Sequence, residues 1–129
     1  TRALQVDFAG LLDEPEATDR VQVLRAATAP KIENHGEGCH IRILSPPEDA
    51  GRHEVYDIRL DAGGSLRSQP HGRGTVEQLT VVDGAVTVQS GAATETLKAG
   101  DTARYAADLP HAIIADHAPY RVFLIVLSA

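Results

Sequence analysis

From Arg20 onwards the sequence is a series of short apolar segments separated by glycine, proline, asparagine and aspartate. This pattern is typical of a chain of β-strands. Residues 54–60 alternate, with Tyr56, Ile58 and Leu60 on one face and Asp57 and Arg59 on the other. We predict strands at 21–28, 39–45, 54–60, 75–82, 85–90, 93–98, 102–107, 111–115 and 120–127. So many short strands with little helix indicate an all-β sandwich or barrel.

Asp83-Gly84, between the strands at 75–82 and 85–90, carries the strongest turn signal. Because glycine readily adopts the positive φ of a tight turn, we predict a β-hairpin between these two strands. We predict a loop at 30–38 and a connection at 46–53, where proline and glycine cluster.

The first residues have a different pattern from the rest of the chain. Leu4, Phe8, Leu11 and Leu12 follow helical spacing, and an acidic segment follows at 13–19. We therefore predict a helical tail and linker over 1–19 and one β domain over 20–129. The start at Thr1 and not at a methionine suggests a piece cut from a longer protein or a processed product.

Composition narrows the class of protein. A net charge of -6 argues against direct binding of this segment to a nucleic-acid backbone. Arginine supplies ten of the twelve cations, which leaves a small anionic ligand open. The single cysteine, Cys39, fits a reducing cytoplasm, and the longest apolar run, 122–127, is far shorter than the ~20 residues of a membrane span. We expect a cytoplasmic protein with no membrane association.

Three side chains could form a chemical centre. His71 and Glu77 are six residues apart, which places both on one face of an extended chain, and His111 follows a later turn at Gly100-Asp101. Two imidazoles and a carboxylate converging from different strands would make either a metal site or a metal-free polar pocket. In the remaining alternative, His71 and His111 are partly exposed residues at the rim of the fold that share no ligand.

The stretch 64–84 resembles the first motif of the cupin superfamily. Gly64, His71, Glu77 and Gly84 match its pattern, although Gly64 lies one residue too far from His71. Gly100 and His111 similarly match the second cupin motif. The resemblance spans about 55–127 and implies a small double-stranded β-helix, a jelly-roll-like barrel.

This sequence departs from the cupin pattern at Arg73, which stands where the motif has a second histidine, and at Ala115, which replaces an asparagine. The remaining ligand set, His71, Glu77 and His111, implies a divalent transition metal such as zinc, iron, manganese or nickel. In the alternative, Arg73 lies on the same strand face and replaces the metal by pairing with Glu77 or with an anionic ligand. We predict that the residues contacting a bound ligand are Arg73, Tyr56, Leu79, Ile113 and Phe123, the last four as lining of the barrel.

A second resemblance concerns bacterial regulators in which a helix-turn-helix of the xenobiotic-response-element type precedes a cupin sensor. Residues 3–12 are similar to the end of such a helix-turn-helix, and His71, Gly74 and Glu77 match the spelling of the first cupin motif in this group. The resemblance implies a ligand-sensing domain that binds a small-molecule effector in the barrel, forms a homodimer and contacts DNA through an upstream domain. The alternative is a separate metal-dependent cupin enzyme, a dioxygenase, isomerase or lyase.

Overall fold

Ten β-strands and one short 3-10 helix make up the part of the chain that the computed structural model describes, residues 21–33, 38–115, 117 and 119–128. The helix is Pro47–Asp49. The strands are β1 (Lys31–Glu33), β2 (Cys39–Ile43), β3 (His53–Leu60), β4 (Ser65–Ser68), β5 (Val76–Asp83), β6 (Ala85–Ser90), β7 (Ala93–Lys98), β8 (Thr102–Ala106), β9 (His111–Ile114) and β10 (Tyr120–Leu127).

The strands form two antiparallel sheets. The larger sheet has the order β1-β2-β3-β10-β5-β8, and the smaller has the order β4-β9-β6-β7. From β3 onwards every connection crosses from one sheet to the other, except the hairpin between β6 and β7. This alternation is the double-stranded β-helix, so the predicted all-β fold is confirmed.

Alternation along the strands builds the core between the sheets. In the larger sheet Tyr56 and Ile58 of β3 lie beside Leu124 and Val122 of β10, and all four are fully buried. Ile113 is one of the residues by which the smaller sheet closes the core from the opposite side. Each such aliphatic side chain contributes about 1.5 to 3 kcal/mol by leaving water, which fixes the strand faces.

The predicted hairpin at Asp83-Gly84 is wrong. β5 pairs with β8 and β10 in the larger sheet, whereas β6 pairs with β7 and β9 in the smaller one. Gly84 does have a positive φ of 79°, but the turn carries the chain between sheets. An Asp-Gly signal specifies backbone conformation and does not specify which strands pair.

Two other local predictions differ from the structure. Residues 21–28 contain no strand; they form an irregular segment ending in a turn in which the amides of Thr28 and Ala29 both donate to the carbonyl of Arg25. Without a pairing partner its alternating valines stay exposed. The connection predicted at 30–38 contains β1, which pairs with β2, and β4 was not predicted. The helical tail and linker predicted for 1–19 lie outside the described residues.

Candidate metal centre

His71, Glu77 and His111 come together at one end of the barrel. His71 lies in the connection before β5, Glu77 is the second residue of β5, and His111 begins β9. Glu77 Oε2 lies 3.2 Å from His71 Nε2 and 3.0 Å from His111 Nε2. The ligand atoms of the three residues lie within 4.8 Å of one another, which no other group of three or more such residues in the described chain matches. The predicted convergence is confirmed.

Backbone hydrogen bonds hold the loop that carries His71. The amide of His71 donates to the carbonyl of Ala107 over 2.8 Å, and the amide of Ala107 donates to the carbonyl of Thr75 over 2.9 Å. Gly74 donates its amide to Asp108 Oδ2, also over 2.9 Å. The loop is therefore tied to the chain that follows β8, and His71 is positioned without being part of a strand.

Tyr105 is a fourth member of the centre, and the sequence analysis missed it. It lies on β8 directly beside Glu77, and its hydroxyl donates to Glu77 Oε1 over 2.7 Å. The pairing of β5 with β8 makes this contact, and the residue order alone contains no signal for that register. Tyr105 leaves Oε2 as the carboxylate oxygen that faces both histidines.

A hydrogen bond on the side of the ring away from Glu77 fixes the orientation of His111. Its Nδ1 lies 2.7 Å from the carbonyl oxygen of Leu109, which can only accept a hydrogen bond, so Nδ1 carries a proton. Nε2 is thereby directed at Glu77. A backbone carbonyl on the far nitrogen is the usual arrangement for a histidine that ligates a metal through the other nitrogen.

Glu77 is buried and ionised at the same time. Burial by itself raises the pKa of this carboxyl, but hydrogen bonds from His111 and His71, the charge of His111 and the Tyr105 hydroxyl outweigh it and lower the pKa to about 2. For His111, burial lowers the pKa, and the hydrogen bond to Glu77 and its negative charge reverse this and raise it. Burial and the charge of Glu77 raise the pKa of Tyr105, which keeps its hydroxyl a donor.

Two of the three pairs of ligand atoms have the spacing that a divalent transition metal requires. Two atoms bound at right angles to one ion, each at about 2.1 Å, lie about 3 Å apart. The two distances from Glu77 Oε2 to the histidine nitrogens, 3.2 Å and 3.0 Å, agree with that value. Two imidazoles and one carboxylate suit zinc, iron, manganese or nickel. A metal would take the place of the protons now shared between Glu77 and the histidines.

Arg73 does not lie where we predicted. It belongs to the turn at residues 72–74, is exposed, and forms no ion pair with Glu77. The expectation that it shares a strand face with His71 and Glu77 is wrong because the chain is not extended between these two residues. Arg73 therefore does not pair with Glu77 in this geometry, and its predicted contact with an anionic ligand stays a prediction.

The residues predicted to line the barrel divide into two groups. Tyr56, Leu79 and Ile113 are buried within it, and the Tyr56 hydroxyl donates to Glu54 Oε1 over 2.7 Å. Contact of these three with a ligand stays a prediction. Phe123 points to the outside of β10, where the Arg121 guanidinium lies 5.3 Å from its ring centre, so its predicted place in the lining is wrong.

Comparison with known proteins identifies the fold and shows a similarity to transcriptional regulators. The HTH-type transcriptional regulator SutR of Escherichia coli (strain K12) is 26% identical over 108 residues, which are 84% of this chain and 56% of SutR. A crystal structure of an HTH_3 family transcriptional regulator from Vibrio cholerae has a TM-score of 0.65 and 27% identity, over 71% of this chain and 52% of that chain. The chain thus spans about half the length of these two regulators.

The crystal structure of an isolated cupin domain also has the same fold as this chain. The Cupin_2 domain of an XRE family transcriptional regulator from Enterobacter cloacae has a TM-score of 0.65 and 22% identity, over 72% of this chain and 99% of that domain. No protein-family model matches the chain. The chain has the cupin fold and resembles the cupin domains of helix-turn-helix regulators. Within the described residues no helix is long and apolar enough to span a membrane.

Proposed function

We propose that this chain is the effector-sensing cupin domain of a cytoplasmic, DNA-binding transcriptional regulator. The observation that carries the proposal is the His71, Glu77 and His111 cluster inside a fold that resembles the cupin domains of such regulators. DNA contacts would lie in an upstream domain, consistent with the acidic net charge of this segment.

In this proposal His71, Glu77 and His111 hold a divalent transition metal, and a small effector binds beside it in the barrel. The ion would supply an electrophilic centre for an oxygen, nitrogen or sulfur atom of the effector. Tyr105 keeps Glu77 in one orientation, and Leu109 does the same for His111 through its carbonyl. Arg73, exposed beside His71, is available to an anionic group of the effector.

The metal content of purified protein tests the centre. We expect Glu77→Gln to reduce the bound transition metal at least several-fold, because the variant removes the anionic ligand and keeps the size of the side chain. Elemental analysis after expression in metal-replete medium measures this. Glu95→Gln, at an exposed position of β7, is the matched control and should bind as much metal as the wild type. Equal metal in both variants would exclude Glu77 as a ligand.

The regulatory role is tested on the longer protein. We expect the natural reading frame to encode a helix-turn-helix before Thr1, and that protein to be a homodimer by light scattering that retards DNA fragments from its own upstream region. Effector binding would shift the relative placement of the two protomers and so the spacing of their DNA-binding domains. A reading frame that begins within a few residues of Thr1 would contradict the proposed regulatory role. It would not affect the proposal of a metal centre.

A further inference from the structure

A groove crosses the outer face of the larger sheet, on the side of β3 opposite to the barrel interior. Its volume is about 770 Å³, within the range of pockets that bind small molecules. Its floor is formed by β2, β3 and β10, and Ala26 and Pro119 are among the apolar residues at its walls. The metal centre contributes no residue to it.

Asp57 lies at the floor of the groove. It faces outward in the alternation of β3, yet it is only 1% exposed. Arg42 of β2 donates Nε and Nη2 to Asp57 Oδ2 over 3.0 and 2.6 Å. Arg121 of β10 donates Nε to Oδ1 and Nη2 to Oδ2 over 3.0 and 3.1 Å. The carboxylate therefore fixes two guanidinium groups, one from each neighbouring strand.

The two arginines carry more positive charge than is needed to neutralise Asp57. One guanidinium would neutralise its charge, and the second leaves a net positive charge at the floor. A guanidinium has five N–H donors in a planar fork, and Asp57 occupies only two from each arginine, so donors remain for another acceptor. Because the side chains of Arg42 and Arg121 are 26% and 34% exposed, solvent and ligands can reach them.

Two further cations line the groove. Lys31 and Arg59 are exposed, and neither forms an ion pair with another residue whose side chain the structure describes. Of the remaining lining carboxylates, Asp61 faces His40 at 3.1 Å and Asp83 ends β5. The described residues that line the groove thus include four permanent cations and three carboxylates, in a chain whose net charge is -6. The summed charge of these residues is opposite in sign to that of the whole protein.

We propose that this groove binds a small molecule through an oxyanion group, a phosphate or a carboxylate, held by Arg59, Arg42 and Arg121. Arginine forks bind both groups with paired, charge-assisted hydrogen bonds. Asp57 is the positioning residue, since it holds two of the three guanidinium groups in place before the ligand arrives. The site is separate from the proposed metal centre, and its existence does not depend on that proposal.

Titration with inorganic phosphate and with citrate, at an ionic strength kept constant with chloride, tests the site by calorimetry. We expect saturable binding of at least one of them at one site per chain. Arg59→Gln should weaken it about tenfold or more, the loss expected for a charge-assisted hydrogen bond. Arg59 forms no ion pair with a side chain that the structure describes, so this variant should fold normally. Arg67→Gln, exposed on β4 of the smaller sheet, is the matched control and should bind like the wild type.

The outcomes separate the ligand classes and the competing explanations. Binding of phosphate alone supports a phosphorylated ligand, and binding of citrate alone supports a carboxylate ligand. The proposal is overturned by no saturable binding of either anion, by unchanged affinity in Arg59→Gln, or by an equal loss in Arg67→Gln. It is also overturned if Arg59→Gln changes the molar mass of the protein without changing anion affinity, because the groove would then be an interface between copies.

Discussion

Tyr105 decides how the carboxylate of Glu77 is presented. With its hydroxyl 2.7 Å from Oε1, the other oxygen, Oε2, is the one shared by His71 and His111. Without that donor a buried carboxylate could rotate or bind through both oxygens. Tyr105 is therefore a positioning residue for the proposed metal centre.

We expect Tyr105→Phe to weaken metal binding by about tenfold, which is typical when a group that orients a ligand is removed. Competition against a chromophoric chelator with Co²⁺ or Zn²⁺ measures the affinity. Tyr56→Phe is the matched control, since Tyr56 also donates to a buried glutamate, Glu54, over 2.7 Å. That change should cost about 1.5 to 3 kcal/mol of stability and leave metal affinity unaltered. Identical metal affinities for the wild type and Tyr105→Phe would remove Tyr105 from the centre.

Only those residues of the site that belong to the two sequence motifs could be predicted from the sequence. The spacing of His71 and Glu77, and the recurrence of a histidine at His111, were enough to predict their convergence. The prediction for Arg73 was wrong because this residue lies in a turn and not in a strand. The prediction for Phe123 was wrong because its side chain lies on the outward face of β10. Tyr105 was missed because its contact depends on a strand pairing that connects residues 28 positions apart.

At the scale of elements, the turn between β5 and β6 is closely packed against Tyr120. A Cβ on Gly84 would lie 1.9 Å from Cδ1 of Tyr120, and φ there is 79°. Because it lacks a Cβ, Gly84 permits both the left-handed backbone conformation and the close approach of the Tyr120 ring. The approach exists because the chain leaves one sheet for the other at this residue.

We expect Gly84→Ala to destabilise the protein by about 3 kcal/mol or more, since it combines backbone strain with a steric clash. Gly63→Ala separates the two effects. Gly63 has a φ of 75°, and a Cβ there would meet nothing within 4 Å, so we expect about 1 kcal/mol from the backbone alone. Urea unfolding of both variants measures the difference. Equal losses would show that Tyr120 moves aside freely.

The Asp57 network joins β2, β3 and β10, and its contribution should depend on pH. Burial alone raises the pKa of Asp57, but the hydrogen bonds and charges of Arg121 and Arg42 outweigh it and lower the pKa below the ordinary 3.8. A carboxyl whose pKa is lower in the folded state stabilises the protein above its unfolded pKa. This contribution is lost as the pH falls through the folded pKa.

We expect Asp57→Asn to cost about 2 kcal/mol at pH 7. This is less than for a fully buried pair because both guanidinium groups reach solvent. Measured by urea unfolding, the gap between wild type and variant should stay constant from pH 7 to about pH 4.5 and shrink below about pH 4. A gap that persists unchanged to pH 2 would contradict the ionised network.

For the whole molecule, the fold was more predictable than its strand pairing. Alternation and turn residues are local, so β2, β3, β5, β6, β7, β8, β9 and β10 were predicted close to their observed bounds. Pairing is long-range, and the misassigned hairpin joined strands that belong to different sheets. The cupin motifs supplied the missing long-range information, because they imply which strands bring His71, Glu77 and His111 together.

A metal bound at this site would have a structural role, since Glu77 belongs to the larger sheet and His111 to the smaller one. An ion bound by both would link the sheets and would bind only the folded chain. At a free concentration one hundred times its Kd it would stabilise the protein by about 2.7 kcal/mol, which for a domain of this size raises the Tm by about 10 °C. Calorimetry of metal-loaded and chelator-treated protein measures this shift, and Glu77→Gln should abolish it. A Tm that is the same with and without metal would mean that no ion links the sheets through these residues.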